Sequence, residues 1–472
     1  MAEQMNYQSI TPKHLEDFRQ LIAEERLLTD LESRQHYGHD ETEDLLFPPE
    51  VVLKPADTKE VAAIMQYCHQ EKIPVTPMGA RTGLSGGALP VKGGVALSME
   101  KFDQIIEIDE LNLQATVEPG VITQVFQEAV QAKGLFYPPD PSSRGSCYLG
   151  GNLAEGAGGP KAVKYGVTKD YVLNLEVVLP TGEVIWTGAN VLKNSTGYNL
   201  TQLMVGSEGT LGIITKIVFK LLPYPKHDLL MLVPFFSAEK ACAAVSAVFR
   251  AGIVPSALEF MERDAIDWTL RYIDGVSFPI KEEVKAHLLV EVDGNDPEVL
   301  FRDCEAITEV MAQYECDEIL FAESSEQKAK LWKLRRRVGE AVKSNSVYRE
   351  EDSVVPRYAL PELLAGVKAI GAKYGFRSVC YGHAGDGNLH VNIIKGDLTP
   401  EQWNQRVVEG IIEIFQLTVG LGGTLSGEHG IGWVQKNYLP LAFDPVKIEL
   451  QKGIKKLFDP HQILNPGKIF PD

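Results

Sequence analysis

Pro77-Met78-Gly79-Ala80-Arg81-Thr82-Gly83-Leu84-Ser85-Gly86-Gly87 is the stretch on which the fold turns. It packs four glycines and two hydroxyl residues into eleven positions. Glycine permits positive φ and close backbone approach, so successive amide N–H groups can converge on an anion, with Thr82 and Ser85 as further donors. The spacing is neither the GxGxxG of a nicotinamide site nor the GxxxxGK[ST] of a P-loop. By itself the loop reads equally as a phosphate cradle or as a tight connection between strands.

Outward from the loop, short strands alternate with helices. Residues 73–77 read as a strand entering the loop. Upstream, Asp57 or Thr58 can cap a helix whose Val61, Ile64, Met65 and Cys68 recur at helical spacing. Downstream, 95–98, 105–108 and 115–117 read as strands and 121–132 as a helix. A Pro180-Thr181-Gly182 turn between 175–179 and 183–186 signals a hairpin. Residues 9–35 read as helical and polar. Pro223-Tyr224-Pro225 breaks helix and ladder alike and marks a linker. Beyond it, helices at 238–251 and 361–374 alternate with strands at 286–292 and 391–394. The expected division is a helical segment over 1–45, a domain around the glycine loop over 46–225, a second domain over 226–424 and a C-terminal segment over 425–472, α+β in class. No internal repeat is visible.

The loop is not the only place where glycine concentrates. Pro138-Pro139-Asp140-Pro141-Ser142-Ser143 is followed by Gly150-Gly151-Asn152, Gly158-Gly159 and Tyr165-Gly166-Val167, then by Val205-Gly206-Ser207-Glu208-Gly209-Thr210-Leu211-Gly212-Ile213-Ile214. Glycine at several separated places suits a chain lining a long, flat ligand with backbone. A dinucleotide carrying a fused planar ring fits that pattern better than a small metabolite.

A different chemistry gathers downstream. Gly382-His383-Ala384-Gly385-Asp386-Gly387-Asn388-Leu389-His390 and Ser426-Gly427-Glu428-His429-Gly430 hold three of the chain's ten histidines. Two imidazoles and a carboxylate make a three-ligand set for a divalent cation with an open position, and one imidazole is left over as a base. On a strand His390 and Asn392 face the same side, and Gly385 and Gly387 free the chain to bring His383 to it. Glu428 and His429 would point apart on a regular strand. The bracketing Gly427 and Gly430 allow an irregular turn that aims both into one cavity.

Composition narrows the function further. A hydrophobic fraction of 44% with 23% charged residues is that of an ordinary globular chain, and 472 residues leave room for two or three domains. A net charge of −18 and the lack of a basic run argue against nucleic acid and against an anionic membrane surface. Residues 1–7 show no signal-peptide pattern, and the longest apolar stretch, 229–236, falls far short of the roughly 20 residues a span needs. Six cysteines without a CxxC pair offer no iron–sulfur or zinc-finger spacing and suit reduced, buried thiols in a cytoplasmic compartment.

These motifs carry a resemblance over residues 45–470. The glycine loop, Pro139-Asp140-Pro141, Gly206-Ser207-Glu208-Gly209, the two histidine clusters and Leu464-Asn465-Pro466-Gly467-Lys468 resemble those of the flavin-linked D-2-hydroxyacid dehydrogenases. That family includes D-lactate dehydrogenase, the glycolate oxidase flavoprotein subunit and D-2-hydroxyglutarate dehydrogenase. Its two-lobed FAD-binding fold is similar to that of vanillyl-alcohol oxidase and p-cresol methylhydroxylase (the PCMH type). The resemblance implies such a domain, an α+β substrate (cap) domain and a C-terminal helical segment. It implies non-covalent FAD, with Gly79, Ala80, Arg81, Thr82, Gly83 and Leu84 at the pyrophosphate and Pro77 and Ser85 beside them. Pro139, Asp140, Ser142, Ser143, Gly150, Gly151, Asn152, Gly158, Gly159, Glu208, Gly209, Gly212 and Ile213 would flank ribityl, adenine and ring, and Asn465 would reach back to the flavin. His383, His390 and Glu428 would bind Zn²⁺ or Mn²⁺, Asn392 would touch substrate, Arg335 would clamp its carboxylate, and His429 would be the base. The implied reaction is hydride transfer from C2 of a 2-hydroxyacid to flavin N5, with the cation polarising the hydroxyl.

One departure bears on the substrate. Hydroxyglutarate-oxidising members place Thr four and Lys fifteen residues after the arginine, where this chain has Gly339 and Glu350. A glutamate repels a distal carboxylate, which favours D-lactate or glycolate; Lys343 and Arg349 stand near enough in sequence to compensate. Arg335, Arg336 and Arg337 also read as a solvated helix face. Two further readings stay open, a zinc hydrolase and a flavoprotein subunit of a multi-chain glycolate oxidase. The electron acceptor would be separate: a quinone, a cytochrome, an electron-transfer flavoprotein or an iron–sulfur subunit. A homodimer, and a peripheral position at the inner face of a membrane, are left open.

Overall fold

The computed structural model describes residues 7–42, 45–276 and 280–471; positions 1–6 of the signal-peptide reading lie outside them. Asp57 accepts a hydrogen bond from the Glu60 N–H and starts helix Thr58–Glu71, which turns Val61, Ile64, Met65 and Cys68 into a core. That core lies against a four-stranded sheet of Leu27–Leu28, Val51–Leu53, Val95–Ser98 and Val75–Met78, in that order. The last three strands run parallel, and Val75–Met78 delivers the chain directly into the glycine loop. The helical reading of 9–35 needs correction. α-Helices cover Pro12–Leu21 and Leu31–His36, with a single 3₁₀ turn at Glu24–Arg26 between them, because Leu27–Leu28 pairs antiparallel with the Val51–Leu53 strand and Leu27 buries itself there.

A five-stranded antiparallel sheet follows, in the order Ile105–Asp109, Gln114–Val117, Ile213–Lys220, Val172–Val178 and Val184–Trp186. Its last two strands are the expected hairpin. The linker reading of Pro223 also changes, since Leu222–Pro223 pairs with Leu135–Phe136 in a two-stranded ladder, an edge position where proline's missing N–H costs little.

The third sheet has seven antiparallel strands: Leu320–Phe321, His227–Phe235, Ala286–Gly294, Ala257–Glu262, Arg377–Gly382, Asn388–Ile394 and Tyr348–Val354. Side chains alternate across it, so both faces must be covered. Helices Ala238–Arg250, Pro297–Ala312, Leu360–Tyr374 and Val407–Gly420 pack on one face. Arg263–Tyr272, Ser325–Arg336 and Val338–Asn345 pack on the other. The C-terminus then returns to the first sheet, where Val75 N–H donates to Ile463 and Asn465 N–H to Val75. The six cysteines are unpaired and five are buried. No helix among the described residues is long and apolar enough to cross a membrane.

Candidate active site

A cavity of about 590 Å³ lies where the glycine loop meets the seven-stranded sheet. Pro77, Gly79, Ala80, Arg81, Thr82, Gly83 and Leu84 line one side, with Ser142, Ser143, Gly150, Gly151, Asn152, Glu208, Gly209, Gly212, Ile213 and Asn465. Arg335, His390, Glu428 and His429 line the other, with Glu350 and Tyr381. Residues hundreds of positions apart therefore share one space.

The first side is made of backbone. At Gly151 a Cβ would meet nothing within 4 Å among the described residues beyond its own helix backbone, so a side chain there would stand in the cavity. Three non-glycine residues of this wall, Arg81 (φ +60°), Glu208 (φ +51°) and Asn465 (φ +42°), sit in the left-handed region. Such strain persists only where the surroundings over-determine it, and it gathers at functional sites. The Asn465 amide donates to the carbonyls of Gly87 (2.9 Å) and Glu208 (2.8 Å), tying the loop to the Glu208 turn. The arrangement suits a dinucleotide held by main-chain groups.

Some expected cofactor residues lie elsewhere. Ser85 is buried and gives its carbonyl to the N–H groups of Trp433 and Val434. Pro139 and Asp140 stand outside the wall because the Asp140 carboxylate is turned to Arg336 and Arg144. Gly158 donates its N–H to Glu428 Oε2 at 3.1 Å and so belongs to the acidic side of the site. Gly159 (φ +120°) passes the Asp140 carbonyl so closely that a Cβ would lie 2.4 Å from it.

On the opposite side, His383 Nε2 lies 3.1 Å and His390 Nε2 3.7 Å from Glu428 Oε1. The ligand atoms of these three residues fall within 4.8 Å of one another, as do those of Glu350, His390 and His429. Ring geometry separates the two sets. The His383 and His390 rings meet at 82°, so in-plane lone pairs can converge, whereas His390 and His429 stack at 15° and theirs run parallel. The first set therefore fits a cation. His383 donates through Nδ1 to the Glu259 carboxylate, whose two oxygens lie 2.8 and 2.9 Å away, which leaves Nε2 for the site. Burial alone would depress the His383 pKa, but Glu259 and Glu428 outweigh it and raise it to about 10. Burial wins at His390, whose pKa falls to about 3 despite Asp352. A neutral imidazole is the form a cation needs, so His390 is ready for one while His383 would have to release its Nε2 proton as the cation enters.

His429 sits on a turn held by two carboxylates. Asp352 Oδ2 accepts from Ser426 Oγ (2.9 Å) and from the N–H groups of Gly427 (2.9 Å), Glu428 (2.8 Å) and His429 (3.0 Å). Glu208, from the glycine-loop side, accepts from Ile431 (2.8 Å) and Gly432 (2.6 Å). Glu428 and His429 thus both reach the cavity from a single irregular turn, as their glycine brackets suggest. Burial lowers the His429 pKa, but Asp352, Glu350 and Glu428 carry it above the ordinary value.

Arg335 is not on a solvated face. It is 2% exposed, its guanidinium 5.2 Å from the Tyr381 ring centre, and its Nε has no hydrogen-bond partner among the described residues. Arg336 turns to Asp140, and only Arg337 is exposed, against Glu340. Asn392 is fully buried opposite Glu350, with neither amide atom partnered among the described residues. Lys343 lines the cavity but pairs with Glu41 at 2.7 Å; Arg349 turns away to the Trp403 carbonyl at 3.0 Å. Sequence reasoning passed over Glu259 and Asp352 because a single carboxylate in a strand carries no motif. Glu259 gave one signal, its place between Leu258 and Phe260 in a strand that buries both faces, whereas Asp352 ends the acidic run Glu350-Glu351-Asp352, which reads as a solvated edge.

An FAD binding domain model matches residues 49–188, and the C-terminal domain model of FAD linked oxidases matches 224–469. The chain belongs to the FAD-linked oxidase family. It is 39% identical to a D-lactate dehydrogenase of Anaerostipes hadrus over 98% of both chains, and 39% to glycolate oxidase subunit GlcD of Bacillus subtilis (strain 168) over 92% of both. Identity to a D-2-hydroxyglutarate dehydrogenase of Xanthomonas citri pv. viticola is 34% over 98% of both chains. Among solved structures, substrate-bound p-cresol methylhydroxylase superposes with a TM-score of 0.79 at 19% identity, covering 98% of this chain and 96% of that one. The fold is the PCMH type, and the protein is an FAD-linked oxidoreductase. The zinc hydrolase reading, which left the glycine loops without a task, gives way to it.

Proposed function

We propose that this oxidoreductase converts a small D-2-hydroxyacid, D-lactate or glycolate by preference, to the 2-oxoacid. The observation that carries the reading is one cavity shared by a backbone cradle, a buried arginine, a histidine-rich cation set and a further histidine. When bound, FAD supplies the hydride acceptor, and a divalent cation such as Zn²⁺ or Mn²⁺ on His383, His390 and Glu428 supplies positive charge beside the substrate hydroxyl.

The chain's own residues do the rest. Arg335 receives the substrate carboxylate, which satisfies its open Nε donor. Asn392, fully buried on the strand that carries His390, lies outside the cavity lining beside Tyr381 and would reach the acid only from behind that ring. His429 takes the hydroxyl proton at a ring nitrogen as the hydride departs from C2, so that proton and electron pair leave together. Its neighbours Asp352 and Glu350 stabilise the imidazolium that results. Glu350 lines the substrate side of the cavity; Arg349 turns away from it, and Lys343, which also lines the cavity, shares its charge with Glu41 in an exposed pair and offsets Glu350 only in part. That disfavours a second carboxylate, and hydroxyglutarate with it. The relatives named as glycolate oxidase subunits support a role inside a larger assembly, with electrons passing on to a separate acceptor.

Anaerobic mixing of the FAD-loaded protein with D-lactate, L-lactate, glycolate and D-2-hydroxyglutarate tests this. Loss of the oxidised-flavin absorbance should be fastest with D-lactate or glycolate. Fastest bleaching by D-2-hydroxyglutarate would overturn the substrate preference, and bleaching by none of the four would overturn the reaction class.

A further inference from the structure

The cation ligands and the carboxylate-binding arginine are not independent. Glu259, in the Ala257–Glu262 strand, has a side chain 1% exposed and touches both. Its two oxygens lie 2.8 and 2.9 Å from His383 Nδ1, and Oε2 also lies 2.6 Å from Arg335 Nη2. The arginine contact is an ion contact without hydrogen-bond alignment, and Arg335 Nε has no partner among the described residues. One buried carboxylate thus divides its charge between an imidazole and a guanidinium that is still short of acceptors. On its other ring nitrogen, His383 faces Glu428 at 3.1 Å.

We infer that Glu259 is a positioning residue that couples cation loading to substrate-carboxylate binding, an inference that rests on the cation set proposed above. A carboxylate arriving at Arg335 takes up guanidinium charge and loosens its hold on Glu259. Glu259 then leans more fully on the Nδ1–H of His383, which makes Nε2 a better donor to a cation. By linkage, the bound cation must favour the carboxylate by the same factor. The strand geometry supports the route: Phe260 pairs with Gly382 in the ladder, so Glu259 and His383 flank one point of contact between neighbouring strands.

The test measures Mn²⁺ affinity of the FAD-loaded protein by chelator competition, with and without propionate, a monocarboxylate that lacks the chelating hydroxyl. In the wild type, propionate should tighten Mn²⁺ binding about fivefold or more. Glu259→Gln should weaken Mn²⁺ binding about tenfold or more and erase the propionate effect. At saturating Mn²⁺ it should raise KM for D-lactate more than it lowers kcat. Glu259→Asp, which keeps the charge on a shorter arm, should recover part of the Mn²⁺ affinity without the propionate effect, and it serves if the glutamine variant does not fold. A propionate effect of wild-type size in either variant, or none in the wild type, overturns the coupling. A wild-type protein that binds no Mn²⁺ overturns the cation site itself.

Discussion

The two walls of the cavity are built by opposite means. The glycine-loop wall presents main chain, through glycines and residues held at positive φ, and its side chains mostly brace the loops. The facing wall binds with side chains, and its backbone is what needs bracing: Asp352 and Glu208 between them hold five N–H groups of the His429 turn. A main-chain wall tolerates many side chains but fails when a Cβ enters the cavity. A side-chain wall fails when one functional atom is removed. The two should therefore break differently.

The largest effect belongs to the side-chain wall. His429→Ala should slow anaerobic flavin reduction by D-lactate by roughly 10²- to 10⁴-fold, the usual weight of a general base, with the flavin spectrum and melting temperature close to wild type. A loss below tenfold would remove His429 from the proton step.

Two glycines sharpen the contrast. Gly151→Val places a side chain where nothing among the described residues beyond its own helix backbone stands within 4 Å. The apoprotein should melt as the wild type does, while FAD affinity measured by fluorescence titration falls about tenfold or more, on the order of 1.4 kcal/mol. Gly430→Ala acts in reverse. At φ +77° its Cβ would lie 2.2 Å from Glu155 Oε2 and 3.0 Å from Glu208 Oε1. That strain should cost roughly 1–3 kcal/mol of stability and lower kcat by shifting the turn, with a smaller loss of FAD affinity than in Gly151→Val, transmitted through Glu155 and Glu208. If both variants lost FAD equally, the division of labour between the walls would be wrong.

The sequence was unevenly legible for physical reasons. Glycine clusters announce a main-chain site because few other needs explain them, so most of the cradle was readable. The exceptions follow from packing: Gly159 lets the chain pass Asp140, and Gly158 serves Glu428, neither of which differs in sequence from a cradle glycine. The histidines and Glu428 were readable because their types and glycine brackets match a cation set. Glu259 and Asp352 were not, since their importance lies in partners 124 and 74 to 77 positions away. Arg335 and Arg336 show the same limit, because only tertiary packing decides that these two line the cavity while Arg337 stays exposed.

The strand Tyr348–Val354 carries the contrast onto its two faces and yields the smallest effect on flavin reduction. Glu350 and Asp352 point toward the cavity side, while Glu351 between them faces Gln435, whose Nε2 donates to it at 3.1 Å. Burial, opposed only in part by Arg349, lifts the Glu351 carboxyl from 4.5 to about 8. Between those values the folded protein holds a proton that the unfolded chain has released, so stability falls as pH rises through the interval. Glu351→Gln removes the titration, and its amide can donate to Gln435 Oε1, which is buried and without a partner among the described residues. The variant should melt like the wild type near pH 4.5 and gain a margin that grows toward pH 8, reaching on the order of 2–4 kcal/mol above it. Urea unfolding across that range reads the difference directly, and a pH-independent gap would mean that Glu351 stays ionised in the fold. The same variant should leave flavin reduction unchanged at each pH, because Glu351 touches neither wall.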